Sequence, residues 1–190
     1  MGLGYVGVTA AACLSAQGHN VVGVDFKADK AAINHGVSPI IEPGVDEMIN
    51  EAVSMGRLSA ATSIPALDDV DLVIVCVGTP SAVDGSHNMS HIVDSARQVA
   101  LAVVESHRKM ALAFRSTFKP GAMTELISPI FAETVGPPYK ERVELAYNPE
   151  FLRETAAVQD YFEPPRTVIG TDGAAHSETM AQLQGLGTDL

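Results

Sequence analysis

Three glycines open the chain in the run Met1-Gly2-Leu3-Gly4-Tyr5-Val6-Gly7. In a Gly-x-Gly-x-x-Gly turn the first glycine permits a tight bend. The second lets the backbone approach a diphosphate, and the third lets the following helix pack closely on a sheet. A helix starting near Tyr5, with Val6 in the same turn, aims main-chain N–H groups and the positive end of its dipole at such a ligand. An anion can then be held without any basic side chain. Asp25 stands eighteen positions after Gly7, and a carboxylate at about that spacing accepts hydrogen bonds from an adenosine ribose. Its charge disfavours a 2′-phosphate, so the expected coenzyme is NAD rather than NADP. Lys30 lies near enough along the chain to reach the ribose or a phosphate. The plainer alternative makes the glycines a packing turn and Asp25 a strand-end cap. The agreement of turn, helix, strand and acid favours the coenzyme.

The elements that must position these residues follow from an alternation of textures. Short apolar runs at Asn20–Asp25, Asp71–Val77, Met110–Phe114, Val143–Ala146 and Thr167–Ile169 read as buried strands. Between them lie helical stretches over Tyr5–Gln17, Lys27–Asn34, Val45–Met55, Met89–Ser106 and Gly121–Val135. Gly18, Gly36, Gly56 and Gly136 stand where helices stop. Asn88 is the candidate N-cap of the longest helix, and Pro129 should kink or break the last one. This order predicts an α/β fold with a doubly wound, Rossmann-like parallel sheet. Pro137-Pro138 and Pro164-Pro165 read as turns within one domain over residues 1–190. No strand precedes the glycine turn, although the strand order 3-2-1-4-5-6 needs one at its centre. The expectation is a chain that lacks its first strand, either a truncated product or one whose start was set too late.

Composition narrows the field. The 190 residues carry 12 Lys+Arg against 23 Asp+Glu, a formal net charge of -11, which repels nucleic-acid backbones and anionic lipid. No apolar stretch approaches transmembrane length, and no secretory signal is visible. The two cysteines, Cys13 and Cys76, form no CxxC pair, and a reducing cytoplasm is the expected setting.

Several blocks go beyond a generic dinucleotide fold: Gly2–Gly7, Ser38-Pro39-Ile40-Ile41-Glu42-Pro43-Gly44, Val77–Ser81, Arg115–Gly121 and Asn148-Pro149-Glu150-Phe151-Leu152-Arg153-Glu154. Together they resemble the N-terminal half of the UDP-glucose/GDP-mannose dehydrogenase family. Gly78–Ser81 and Pro164–Gly170 look more like the GDP-mannose branch. The resemblance implies oxidation of the C6 alcohol of a nucleotide sugar, GDP-mannose or UDP-glucose, to a carboxylate. Two NAD are consumed, with a thiohemiacetal and a thioester formed on a cysteine.

The same resemblance puts Tyr5 and Val6 at the pyrophosphate, Asp25 and Lys30 on the adenosine side, and Thr79 and Thr117 beside the cofactor. Thr117 also helps to hold a reactive water. Glu150 and Glu154 match the acidic pair of the sugar site. Four apart, they share a face if that segment is helical. One would contact substrate or cofactor and the other is a candidate base for thioester hydrolysis; which does which stays open. Neither Cys13 nor Cys76 matches the family's nucleophile, and both read as small core residues. The chain is thus expected to be the NAD-binding part of a longer, homo-oligomeric enzyme, inactive alone. The alternatives are an NAD-binding module without catalysis, or another NAD-dependent hydroxy acid dehydrogenase, against which the block 148–154 argues. The sequence departs from the family at Asn88, where aspartate is usual, and at Phe118 and Lys119, which replace an apolar pair.

Other signals carry less. His87 and His91, four apart, offer two ligands and no third at a diagnostic spacing, so no metal is expected. Asp68-Asp69-Val70-Asp71 reads as a solvated turn.

Overall fold

The first helix, α1 (Tyr5–Ala16), has no polar face: Gly7 through Cys13 and Ser15 are all buried. A helix apolar on every side belongs in an interior. Its alanines let neighbours approach closely, and its buried hydroxyls are satisfied locally, Thr9 Oγ1 donating to the Tyr5 carbonyl at 2.9 Å and Ser15 Oγ to Ala11 at 2.8 Å. The computed structural model describes residues 1–81 and 87–171, without the side chains of 28–31. They fall into two compact units: residues 1–63 with 150–167, and residues 64–149 with 168–171.

In the first unit α1 leads to β1 (Val21–Val24), a 3-10 helix (Ala28–His35), α2 (Val45–Ser54) and β2 (Leu58–Ala61); α6 (Ala157–Phe162) joins from later in the chain. β1 and β2 pair in parallel, Val21 against Leu58 through Val24 against Ala61. Leu3, Val8, Ala11, Ala12, Ile33, Val45, Ile49, Ala52 and Leu58 form the core between helices and strands. β2 was not expected. Leu-Ser-Ala-Ala lacks the β-branched residues that mark a strand, and it is held instead by its ladder to β1. The outer edge of β2 is occupied by a side chain. The Ala60 N–H donates to Asn34 Oδ1 at 2.7 Å, and Asn34 Nδ2 donates to the Ala60 carbonyl at 2.9 Å.

The second unit contains β3 (Leu72–Val75), α3 (Ser90–Glu105), β4 (Met110–Phe114), a π-turn (Met123–Ile127), α4 (Ser128–Thr134), α5 (Tyr139–Arg142), β5 (Val143–Tyr147) and β6 (Gly170–Thr171). The strands lie in the order β3-β4-β5-β6. The first three are parallel, and β4 is buried at all five positions. The expected α/β architecture with parallel sheets is therefore present in both units.

Two local expectations change. The run 167–169 is not itself a strand; pairing begins at Gly170 and is antiparallel to β5. The Val168 carbonyl is taken by Asn148 Nδ2 at 2.9 Å, and Pro164 and Pro165 lack ladder donors. Asn88 is not the N-cap expected of it: that position is Met89, which makes no side-chain cap bond, and Asn88 lies one residue earlier with its Oδ1 accepting from the Ser90 N–H at 2.9 Å. Pro129 disturbs its helix without ending it: the turn before it widens to π, and α4 runs on directly from Ser128 with the proline in its first turn. Phe118, one of the departures, is buried and stacks at 4.7 Å on Tyr147 and edge-on at 6.3 Å to Phe114. The aspartates at 68–71 are exposed as expected except that Asp71 pairs with Arg108. Among the described residues no helix is long and apolar enough to cross a membrane.

Candidate functional site

The glycine turn takes the shape its residues suggest. Gly2 has φ of 86°, open to glycine at little cost, and its N–H donates to the Val24 carbonyl at 2.8 Å. The Leu3 N–H donates to Asp25 Oδ2 at 2.8 Å, and the Lys27 N–H to Oδ1 at 3.0 Å. Asp25, one residue beyond β1, therefore ties the turn to the strand end as a cap, and each of its carboxylate oxygens keeps a second lone pair. Gly4 precedes α1, and no side chain caps that helix. A Cβ built on Gly4 meets nothing within 4 Å. The turn thus faces open space with the first N–H groups of α1, those of Tyr5, Val6 and Gly7, lacking intrahelical acceptors. Lys30 belongs to the 3-10 helix, but its side chain lies outside the described residues.

Glu42, which carries no expected role, stands at the centre of this unit. Only 7% of its surface is exposed. Its Oε2 accepts from the Tyr5 hydroxyl at 2.5 Å and the Thr155 N–H at 2.8 Å; its Oε1 accepts from the Ala157 N–H at 2.8 Å. Burial pulls the carboxyl's pKa upward, but the hydrogen bonds from Tyr5, Ala157 and Thr155 outweigh it and hold the group below the ordinary glutamate value. Burial and the bond to Glu42 push the Tyr5 phenol well above its usual value. The signal available in the sequence was an acid set between two isoleucines and a proline, Ile40-Ile41-Glu42-Pro43, where an apolar residue is the easier choice.

The loop on the other side of Glu42 carries the expected acidic pair, and the helical condition for their sharing a face is not met. Residues 148–153 are irregular and Glu154-Thr155 is a turn. The Leu152 N–H donates to Glu150 Oε2 at 2.6 Å, a local bond that competes with a helix. Glu154 is exposed. Arg153 closes the loop on α6: its Nε and Nη2 donate to Asp160 at 3.0 and 2.7 Å, and its main-chain N–H at 2.8 Å. The Arg153 guanidinium holds the Asp160 carboxyl below the usual range, and Asp160 in turn raises Arg153. Thr155 has φ of 69°, an unfavourable value for a β-branched residue. Thr155→Gly relieves that strain at the cost of glycine's extra chain entropy, and is expected to raise stability by about 0.5–1 kcal/mol, measured as a higher urea midpoint.

In the second unit Thr79 and Thr117 follow β3 and β4 at the carboxyl ends of neighbouring parallel strands, where doubly wound sheets bind ligands. The structure brings them together: Thr79 Oγ1 donates to the Thr117 carbonyl at 2.9 Å. Behind them Arg115 donates twice to the buried Asn148 Oδ1, at 3.1 and 3.0 Å. His91 Nδ1 lies 3.2 Å from the Gly78 carbonyl. Cys13 is fully buried in α1, and Cys76 is half-buried one residue beyond β3 rather than within it.

The sequence pattern of the UDP-glucose/GDP-mannose dehydrogenase family, NAD binding domain, matches residues 1–185. The chain belongs to this family. A GDP-mannose 6-dehydrogenase from Azotobacter vinelandii is 41% identical over 184 residues, which are 96% of this chain and 42% of that protein. Among solved structures, a ternary complex of GDP-mannose dehydrogenase from Pseudomonas aeruginosa matches with a TM-score of 0.88 at 38% identity, over 96% of this chain and 42% of that one. A UDP-glucose dehydrogenase from Pyrobaculum islandicum matches at 0.84 and 36%, over 96% and 41%. The chain spans about two fifths of the length of the relatives it matches. The family's domain binds NAD, and the residues present fit that coenzyme: main-chain donors facing open space at Gly4, and a carboxylate with spare lone pairs at Asp25.

Proposed function

We propose that this chain supplies the NAD-binding part of a nucleotide-sugar 6-dehydrogenase acting on GDP-mannose or UDP-glucose. The observation that carries the reading is the uncapped start of α1 behind the open Gly4 turn, with Asp25 beside it. NAD, when bound, supplies the hydride acceptor for oxidation of the C6 alcohol. The main-chain N–H groups of Tyr5, Val6 and Gly7 hold the diphosphate, and Asp25 accepts from the adenosine ribose with help from Lys30. Thr79 and Thr117 lie beside the coenzyme, and Thr117 orients a water. Of Glu150 and Glu154, one holds substrate or coenzyme and the other takes a proton from that water. The GDP-mannose relatives make GDP-mannose the first substrate to offer.

The chain's own thiols favour a division of labour. Cys13 is sealed in the core of the first unit and Cys76 is half-buried, and by the family resemblance neither stands in the motif of the nucleophile. Titration calorimetry on the chain is expected to show one-site NAD uptake with NADP weaker. Incubation with GDP-mannose and excess NAD is expected to show no reduction of the coenzyme. Turnover of GDP-mannose refutes the division of labour; absence of NAD uptake by the folded chain refutes the coenzyme assignment.

A further inference from the structure

We propose that Glu42 is a positioning residue that couples the coenzyme turn to the loop carrying Glu154, so that filling one site orders the other. The proposal rests on the reading of the glycine turn as the coenzyme site. Its physical basis is a single buried carboxylate with partners from both places. Tyr5, the first residue of α1 and a neighbour of Gly4, donates its hydroxyl to Oε2; Thr155, next to Glu154, donates its N–H to the same oxygen; Ala157 donates to the other. In the chain Glu42 and Thr155 are 113 residues apart. Tyr5 also reaches the loop directly, its hydroxyl lying 3.4 Å from the Arg153 carbonyl, a longer contact than its 2.5 Å bond to Glu42.

Two features make this a coupling rather than a rigid brace. Thr155 sits at a positive φ that a β-branched residue leaves unless its surroundings hold it. The turn therefore has another conformation to go to, and the bond to Glu42 biases it toward this one. Tyr5, for its part, starts a helix with no side-chain cap. A diphosphate bound there settles the first turn of α1 and with it the Tyr5 ring, which fixes the hydroxyl on Oε2. Ordered on one side, Glu42 holds the Thr155 and Ala157 N–H groups more firmly on the other. Coupling of this kind is reciprocal: whatever factor coenzyme adds to the order of the loop, the ordered loop returns to coenzyme affinity.

The test is hydrogen exchange at the Thr155 and Ala157 amides, with and without saturating NAD. In the wild-type chain saturation is expected to slow both at least about fivefold. Tyr5→Phe keeps the ring and removes the hydroxyl; at saturation its slowing is expected to fall below about twofold, and its NAD affinity to weaken by the same factor that the slowing lost. Glu42→Gln, which retains an acceptor oxygen, should recover part of the slowing that Glu42→Ala abolishes. NAD uptake without slowing in the wild type overturns the coupling and leaves the coenzyme reading intact. Full wild-type slowing in Tyr5→Phe overturns it as well. Absence of any uptake overturns the coenzyme reading itself and the coupling with it.

Discussion

Replacing Asp25 by alanine is expected to weaken NAD binding by about 10–100-fold and to weaken NADP binding much less, narrowing the preference between them. The carboxylate is charged and accepts charge-assisted hydrogen bonds, whose loss costs about 1.5–3 kcal/mol each. With NADP the same charge opposes the 2′-phosphate, so removing it takes away a repulsion along with an attraction. A second effect adds to the first for both coenzymes: Asp25 Oδ2 also holds the Leu3 N–H within the glycine turn. Asp25→Asn separates the two effects, since the amide oxygen still accepts from Leu3 but carries no charge. Calorimetric titration of the three proteins with both coenzymes decides. Unchanged affinities of the alanine variant for NAD and NADP remove Asp25 from the ribose site.

The second large effect concerns stability. Glu42→Ala leaves the Thr155 and Ala157 N–H groups and the Tyr5 hydroxyl without their buried acceptor. Stranding such donors is expected to cost about 3–5 kcal/mol at neutral pH, read as a fall in the urea midpoint. The pH dependence has a definite sign. The Glu42 carboxyl titrates below its ordinary value of 4.5 when folded, so its contribution is complete above about that pH. It is lost as pH falls through the lowered folded-state value. Asp160, also held low, acts in the same direction. The variant should therefore lose stability less steeply in acid than the wild type, while keeping the part due to Asp160. A variant as stable as the wild type at pH 7, with an equally steep acid limb, rules out an ionised Glu42 as the keystone of this unit.

What could be read from the sequence and what could not divides along a physical line. The glycine turn, the uncapped helix and Asp25 lie within 25 residues of one another and act mainly through backbone geometry, which residue type dictates directly. The placement of Thr79 and Thr117 side by side was legible for a related reason: each follows an apolar strand, and parallel strands bring their carboxyl ends to one edge. Glu42 escaped because two of its three partners are main-chain N–H groups more than a hundred residues away, and nothing in Thr155 or Ala157 advertises that their N–H groups need an acceptor. Glu150 and Glu154 were matched to the family, but the helix that would align them is replaced by a turn that Arg153 and Asp160 stabilise. β2 was missed because its ladder partner, not its own composition, makes it a strand.

The amide of Asn34 has a consequence for how the protein behaves at high concentration. By returning both hydrogen bonds of Ala60, it fills the slot where the backbone of another molecule would zip onto β2. Exposed strand margins are the usual seeds of fibrils and of insoluble stacks. One carboxamide, supplied by a short 3-10 helix, serves here as a stopper against self-templating.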